Sequence, residues 1–290
     1  STFWNPTSGF RTKDGEAEEI DEFLADSYGG KVRDTVAAKS EGGNEREKIS
    51  NDEGEWESGS KPSTYGEVTT IGGRQLFDVM GLYNVGDDDN GSRNGGGRVF
   101  YDLGSGTGKL VAHAAMEIIP MSSSSSYGLK KSSGIELSNS RHEMAISSWS
   151  NLVNSLYIEL ATTTTLSDTT KEEDDDPLLM IRTKKLNAVF VHGSFLDVDL
   201  SDATHIFVAS LCMSSELLLN LAQKLATYCP NLEVVATMRP FQDRNNSIDH
   251  IPTMFRNAVH EVAHIQTTWT QGAGKGQTTH VYRLKHEGGN

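Results

Sequence analysis

The run Asp102-Leu103-Gly104-Ser105-Gly106-Thr107-Gly108 sets glycine at three alternate positions, after the apolar stretch Val99-Phe100-Tyr101 and before a helical pattern from Lys109 to Ile118. Glycines at that spacing let the chain turn sharply and let a ligand approach the peptide groups without interference from Cβ atoms. The helix that follows contributes free N–H groups and a partial positive charge. The chemistry is capture of a nucleotide-like ligand. Two familiar loops are excluded by spacing. The dinucleotide fingerprint needs glycine or alanine where Lys109 stands, and the phosphate-cradling P-loop needs glycine at Leu103 and a hydroxyl at Leu110.

The ends of the later apolar runs add polar groups. Ser133–Leu137 carries Glu136, whose carboxylate can accept hydrogen bonds from both hydroxyls of a ribose. Glu136 lies 28 residues beyond Gly108, longer than the usual spacing of about 20, and the serine run Ser122–Ser126 accounts for the excess. Asn187–His192 leads into Gly193-Ser194-Phe195, where Phe195 offers a stacking face for a base and Ser194 a hydrogen bond to its edge; a core aromatic is the competing role. His205–Ser210 leads into Leu211-Cys212-Met213. Cys212 has no base partner in view and reads as a small buried hydrophobe rather than a nucleophile.

One other motif carries chemistry. His260-Glu261-Val262-Ala263-His264 matches the zinc-protease signature, which requires a helix, yet its flanks (Val259, Ile265, Thr267, Thr268, Trp269) favour a strand. The match is read as coincidence, and no metal site is expected.

These residues need a scaffold that brings strand ends together. Strand-like runs (Arg98–Leu103, Ser133–Leu137, Asn187–His192, His205–Ser210, Leu232–Met238) alternate with helical stretches (Gly108–Ile118, Ser138–Leu160, Ser214–Tyr228), and a helix over Gly72–Tyr83 precedes them. That alternation implies βαβ units and a parallel sheet covered on both faces. Two further strands, Ala258–Thr268 and Thr279–Lys285, follow without a long helix between them, which predicts a terminal antiparallel hairpin. Residues 1–60 read as a weakly ordered acidic arm. Residues 61–290 read as one catalytic domain with polar inserts near 84–97, 121–132 and 161–176.

The 290 residues carry a net charge of −14, and residues 1–60 alone contribute fifteen acids against seven bases. With the inserts removed as well, the remainder is close to neutral. No lysine- or arginine-rich arm is present, so strong independent DNA binding is not expected. No run of eighteen apolar residues exists, so no membrane span is expected. The two cysteines, Cys212 and Cys229, flank a helix that would hold them roughly 20 Å apart, too far for a disulfide, which fits a reducing compartment.

The D-x-G-x-G-x-G loop resembles motif I of the class I S-adenosylmethionine methyltransferases. Three segments extend the likeness: Ser63-Thr64-Tyr65-Gly66-Glu67-Val68 upstream, Arg239-Pro240-Phe241 after the fifth strand, and Trp269-Thr270 before a Gly-Lys loop. Together they resemble the non-SET histone H3 lysine methyltransferases of the "disruptor of telomeric silencing" type, over roughly residues 60–285. The resemblance implies a doubly wound, seven-stranded α/β sheet of class I methyltransferase type, mostly parallel with the antiparallel hairpin. It implies S-adenosylmethionine as cofactor, with S-adenosylhomocysteine as product. The implied contacts are a lid at Tyr65, Gly66, Glu67 and Val68, the loop residues Asp102, Gly104, Ser105, Gly106, Gly108 and Lys109, then Glu136, Ser194 and Phe195. It also implies a basic protein substrate such as histone H3 or the nucleosome, and a nuclear rather than cytoplasmic location.

The chain departs from the family where the acceptor would sit. Ser194 stands in place of an acid, Lys109 in place of glutamine, and Ala209-Ser210-Leu211 in place of an Asn-Asn-Phe-like sequence. Ser210 and Trp269 are therefore the expected catalytic residues, with Leu211, Met213 and Phe241 completing an apolar channel. A different methyl acceptor, or a cofactor-binding module without catalysis, are the alternatives.

Overall fold

The computed structural model describes residues 16–28, 67–83, 97–122, 128–166, 186–242, 248–268 and 276–285. Seven strands form one sheet in the order β3-β2-β1-β4-β5-β7-β6. They are β1 (Arg98–Leu103), β2 (Leu129–Glu136), β3 (Ala188–His192), β4 (His205–Val208), β5 (Val234–Thr237), β6 (Val259–Ile265) and β7 (Gln277–Arg283). The first five pair in parallel, and β7 runs antiparallel to both β5 and β6. The chain order reverses direction between β1 and β4, and a ligand in such a sheet sits beyond the carboxyl ends of the strands at that point.

Alternation along each strand divides two cores. On one face Phe100, Phe207, Val234, Ala236 and Val281 pack under helices α2 (Thr70–Met80) and α3 (Lys109–Ser122). On the other Tyr101, Leu103, Ile206, Val208, Val235 and Tyr282 pack under α5 (Ser215–Tyr228), which buries Leu218, Leu221, Ala222 and Leu225 at helical spacing. Helix α4 (Asn139–Leu166) lies between β2 and β3 in sequence and touches both. The short helix α6 (Thr253–Arg256) inserts Phe255 beside Phe241 and Tyr282.

Helix ends follow their capping residues. Thr69 Oγ1 accepts from the Gly72 amide at 3.0 Å to open α2, and Gly81, at φ 78°, closes it. Ser214 Oγ accepts from the Leu217 amide at 3.1 Å to open α5.

Several boundaries differ from expectation. Residues 1–60 read as a weakly ordered arm with a short helical signal at Ile20–Ala25, and around that signal Glu16–Tyr28 forms a longer helix, α1. Its Ile20, Leu24 and Tyr28 are buried against Ala112 and Met116 of α3 and Leu152 and Leu156 of α4. The insert expected near 121–132 is shorter, because α3 continues to Ser122 and β2 begins at Leu129. The polar start of β2 is stabilised by Lys131, whose ammonium bonds the Tyr101 hydroxyl and Asp202. The one expected at 161–176 begins inside α4, which runs to Leu166. The insert at 84–96 lies outside the described residues. His260 and His264 sit on β6, a strand, so the helical scaffold that the metal signature requires is absent.

Candidate active site

The glycine loop leaves β1 in three left-handed steps: Gly104 at φ 81°, Gly106 at φ 57° and Gly108 at φ 79°. Only glycine adopts that sequence of angles without strain. The amides of Gly104 and Ser105 both donate to the Ile135 carbonyl, at 2.8 and 3.0 Å, so β2 fixes where the loop begins. The Gly108 amide then donates to the Ser105 carbonyl at 2.9 Å, closing the turn into α3. Gly134 is part of the same device, since a Cβ there would lie 2.6 Å from Ser105 Oγ.

Glu136 ends β2 almost buried, and its carboxylate binds the loop itself. One oxygen accepts from the Gly106 amide at 2.7 Å and the other from the Ser138 amide at 2.9 Å. Asp102, buried beside it at the end of β1, is pushed up to about 8 by burial and by the Glu136 charge. The sequence placed both carboxyls at strand ends. It gave no sign that one would hold the loop while raising the other.

The upstream segment meets the loop from above. Thr107 Oγ1 donates to Glu67 Oε1 at 2.9 Å, and Lys109 Nζ lies 3.7 Å from Glu67 Oε2. Glu67 and Val68 are anchored to the far edge of the sheet: the Glu67 amide donates to Thr268 Oγ1 at 3.1 Å, the Thr268 amide returns to the Glu67 carbonyl at 2.9 Å, and Val68 bridges Thr267. Glu67 and the loop residues Asp102 to Lys109 thus converge. Tyr65, Gly66 and Trp269 lie outside the described residues. Thr107 and Thr268 were not singled out from sequence, and only their place beside Glu67 marks them.

After β3, Ser194 shapes a turn. Its hydroxyl accepts from the Leu196 amide at 3.1 Å, and its carbonyl accepts from the amides of Asp197 and Val198. The Gly193 amide donates to the Glu136 carbonyl at 3.0 Å, which ties this turn to the end of β2. Phe195 is half-buried against the core under α5, so part of its ring remains open. Beside them His142 and His192 stack with ring centres 5.5 Å apart, a pair that sequence spacing did not reveal. Burial and the neighbouring His192 hold His142 below the usual histidine range.

Two residues expected on the acceptor side are buried. Ser210 is fully buried in a 3-10 turn (Ser210–Cys212), and its hydroxyl accepts from the Arg239 amide at 2.8 Å. It joins the ends of β4 and β5. Phe241 is also buried, stacked among Phe255 and Tyr282 with ring centres 4.6 and 5.1 Å away, so it belongs to the core. Met213 borders the loop, its Cε 3.9 Å from where a Cβ on Gly104 would stand, and Leu211 is 39% exposed. The Arg239 guanidinium holds this segment by donating to the Met213 carbonyl and to Ser215 Oγ.

No family model matches the chain, and no curated protein matches it. Among solved structures it is similar to an RNA methyltransferase from Salinibacter ruber in complex with S-adenosyl-L-homocysteine, at 17% identity over 74% of this chain and 94% of the other, with a TM-score of 0.39. It is also similar to the rRNA methyltransferase aviRa from Streptomyces viridochromogenes, at 13% identity over 78% and 88%, with a TM-score of 0.46. The strand order and the antiparallel β7 define a class I methyltransferase-type sheet.

Proposed function

We propose that the protein is an S-adenosylmethionine-dependent methyltransferase. The observation that carries this is the charge around the glycine loop. Glu136, Asp102 and Glu67 lie at the loop, and Lys109 pairs with Glu67. The carboxylates of Glu136 and Glu67 repel the phosphates of a dinucleotide or nucleoside triphosphate and attract a ligand that bears a sulfonium and an ammonium, and Asp102 joins them once such a cation ionises it. The donor set fits: each oxygen of Glu136 receives one backbone amide and keeps a lone pair for a ribose hydroxyl. An ammonium near Asp102 would restore its ionised form by opposing the effect of burial.

When bound, S-adenosylmethionine supplies an electrophilic methyl group on sulfur. The chain's task is alignment. Glu136 and the loop would fix the adenosine half, Ser194 and Phe195 the base, and Glu67 would close over the remainder. Leu211 and Met213 give the acceptor side an apolar border. An amine brought there from water, with a free pKa of about 10.4 for lysine, is driven toward its neutral, nucleophilic form by desolvation. This scheme uses no dedicated general base.

The acceptor we favour is a lysine amine of a histone or other basic protein, and the place of action the nucleus. The Tyr65-Gly66-Glu67 segment with the D-L-G-S-G-x-G loop supports that choice, as does the net charge of −14, which suits a basic partner better than a polyanion. A second acceptor class has its own support. With Ser210 turned inward, the end of β4 offers an amine no hydroxyl contact. Transfer of tritiated methyl from S-adenosylmethionine to nucleosomes, free histones and total RNA separates these. Label on histone lysine supports the first acceptor and label on RNA the second. Label on nothing, with S-adenosylhomocysteine still bound, leaves a cofactor-binding module.

A further inference from the structure

Helix α1 (Glu16–Tyr28) reaches the proposed donor site from a part of the chain that no sequence motif connected with it. Its stripe Ile20, Leu24 and Tyr28 packs on α3 and α4, and Arg74 fixes its direction. The wholly buried Arg74 guanidinium donates to both oxygens of Asp21, at 2.8 and 3.1 Å, and through Nε to Glu117 at 2.7 Å. Asp21 therefore lies near the Glu117 end of α3. Seven residues further along α1, roughly 10 Å of helix, stands Tyr28; eight residues back along α3, roughly 12 Å, stands Lys109. Tyr28 belongs to the same buried cluster as Ala112 in the first turn of α3 and feels the charge of Glu67, so α1 brings Tyr28 to the end of α3 where the glycine loop enters.

At that end Tyr28 is 7% exposed, and its buried hydroxyl has no hydrogen-bond partner among the described residues. It is close enough to Glu67 for that carboxylate, after burial, to oppose loss of the phenolic proton, so the hydroxyl stays a donor. A buried hydroxyl without an acceptor is a cost that a ligand acceptor would remove. Glu67 in turn is held by Thr107 and Lys109. The unpartnered donor thus stands in the cluster where the lid meets the loop.

We infer that Tyr28 is a ligand contact, its hydroxyl donating to the carboxylate of the amino-acid end of the bound methyl donor. The inference rests on the methyltransferase proposal above and deepens it. The amino-acid end carries both charges: its ammonium suits Glu67 and Asp102, and its carboxylate suits Lys109 and a neutral donor that brings no charge of its own. Tyr28 meets that second need. It also makes α1 part of the donor site.

Calorimetric titration of the full chain and of Tyr28→Phe with two ligands tests this. S-adenosylhomocysteine has the amino-acid end; 5′-methylthioadenosine shares its adenosine and thioether and lacks that end. Tyr28→Phe keeps the ring and its packing, and its melting temperature without ligand should equal or exceed that of the parent, since an unpartnered hydroxyl is removed. The expected result is about tenfold weaker binding of S-adenosylhomocysteine, the size of one hydrogen bond to a charged acceptor, with methylthioadenosine unchanged. Equal affinity for S-adenosylhomocysteine in both proteins overturns the inference. So does an equal loss for both ligands, which would make Tyr28 a packing residue only. If the parent chain binds neither ligand, the methyltransferase proposal itself fails, an outcome distinct from the other two.

Discussion

Replacing Glu136 by glutamine should loosen the glycine loop and shift the titration of Asp102 together. The carboxylate accepts from the Gly106 amide at 2.7 Å and the Ser138 amide at 2.9 Å in a buried setting. Glutamine has one acceptor oxygen, so its NH2 group must face one of those two amides. A buried N–H left without an acceptor costs about 1–3 kcal/mol. The surviving bond loses its charge assistance, which roughly halves it, about 1 kcal/mol more. Relief of the repulsion between Glu136 and Asp102 offsets part of this, leaving a net loss of about 2 kcal/mol. For a chain of this size that corresponds to a fall of roughly 4–8 °C in Tm. Asp102 should titrate below its present value of about 8, yet above the ordinary carboxylate range, because burial is the larger cause and remains. Differential scanning calorimetry and carboxyl-carbon NMR read the two effects. A variant that melts with the parent while Asp102 titrates unchanged would refute the idea that this carboxylate organises the loop.

Three other substitutions probe the scaffold. Gly108→Ala puts a Cβ 2.4 Å from Phe190 Cε1 at a left-handed backbone angle. It should destabilise by about 2–5 kcal/mol in urea unfolding, of which Phe190→Leu in the same chain recovers the steric share. Arg74→Met strands Glu117, whose carboxyl His113, Arg74 and Tyr83 together hold below its ordinary range against the effect of burial. A loss of about 3–5 kcal/mol should follow, smaller when Glu117→Gln is added; equal losses would show that the pair is uncoupled. His205 is buried and neutral, and burial, with Arg98 and Arg283 nearby, lowers its titration to about 3. Because the unfolded chain takes up that proton near pH 6.5 and the folded chain does not, stability should fall as pH drops below 6.5, by about 3 kcal/mol at pH 4. His205→Asn should flatten this slope in melting experiments across pH 4–7, and an unchanged slope would place the acid sensitivity elsewhere.

Much of the fold was legible because its signals are local. Alternating apolar runs predicted the five parallel strands, the missing helix before Thr279 predicted the hairpin, and the flanks of His260 correctly put that residue on a strand. The loop was legible for a similar reason: three alternate glycines at a strand end leave few conformations open. What sequence could not supply were partners distant along the chain. Helix α1 is held by Arg74, 53 residues away, and by packing on α3 and α4, so the sequence around it showed only a short helical signal, Ile20–Ala25, in an otherwise loose arm. Ser210 looked like a site hydroxyl from its type and position, but it is fully buried and accepts a hydrogen bond from the Arg239 amide, 29 residues on. Phe241 likewise resembled a channel wall until Phe255 and Tyr282 enclosed it.

If the glycine loop binds S-adenosylmethionine or its product, blocking the loop mouth must abolish that binding. Gly104 is exposed at the mouth of the loop, with only Met213 Cε near the position a Cβ would take. Gly104→Arg should therefore place a long side chain over the loop, at a backbone strain of about 1–2 kcal/mol for the left-handed angle and with no clash in the core. Isothermal titration of S-adenosylhomocysteine should give saturable one-to-one binding to the parent chain and none to Gly104→Arg, with both proteins melting cooperatively. No heat with the parent, or equal binding by the folded variant, would contradict the account.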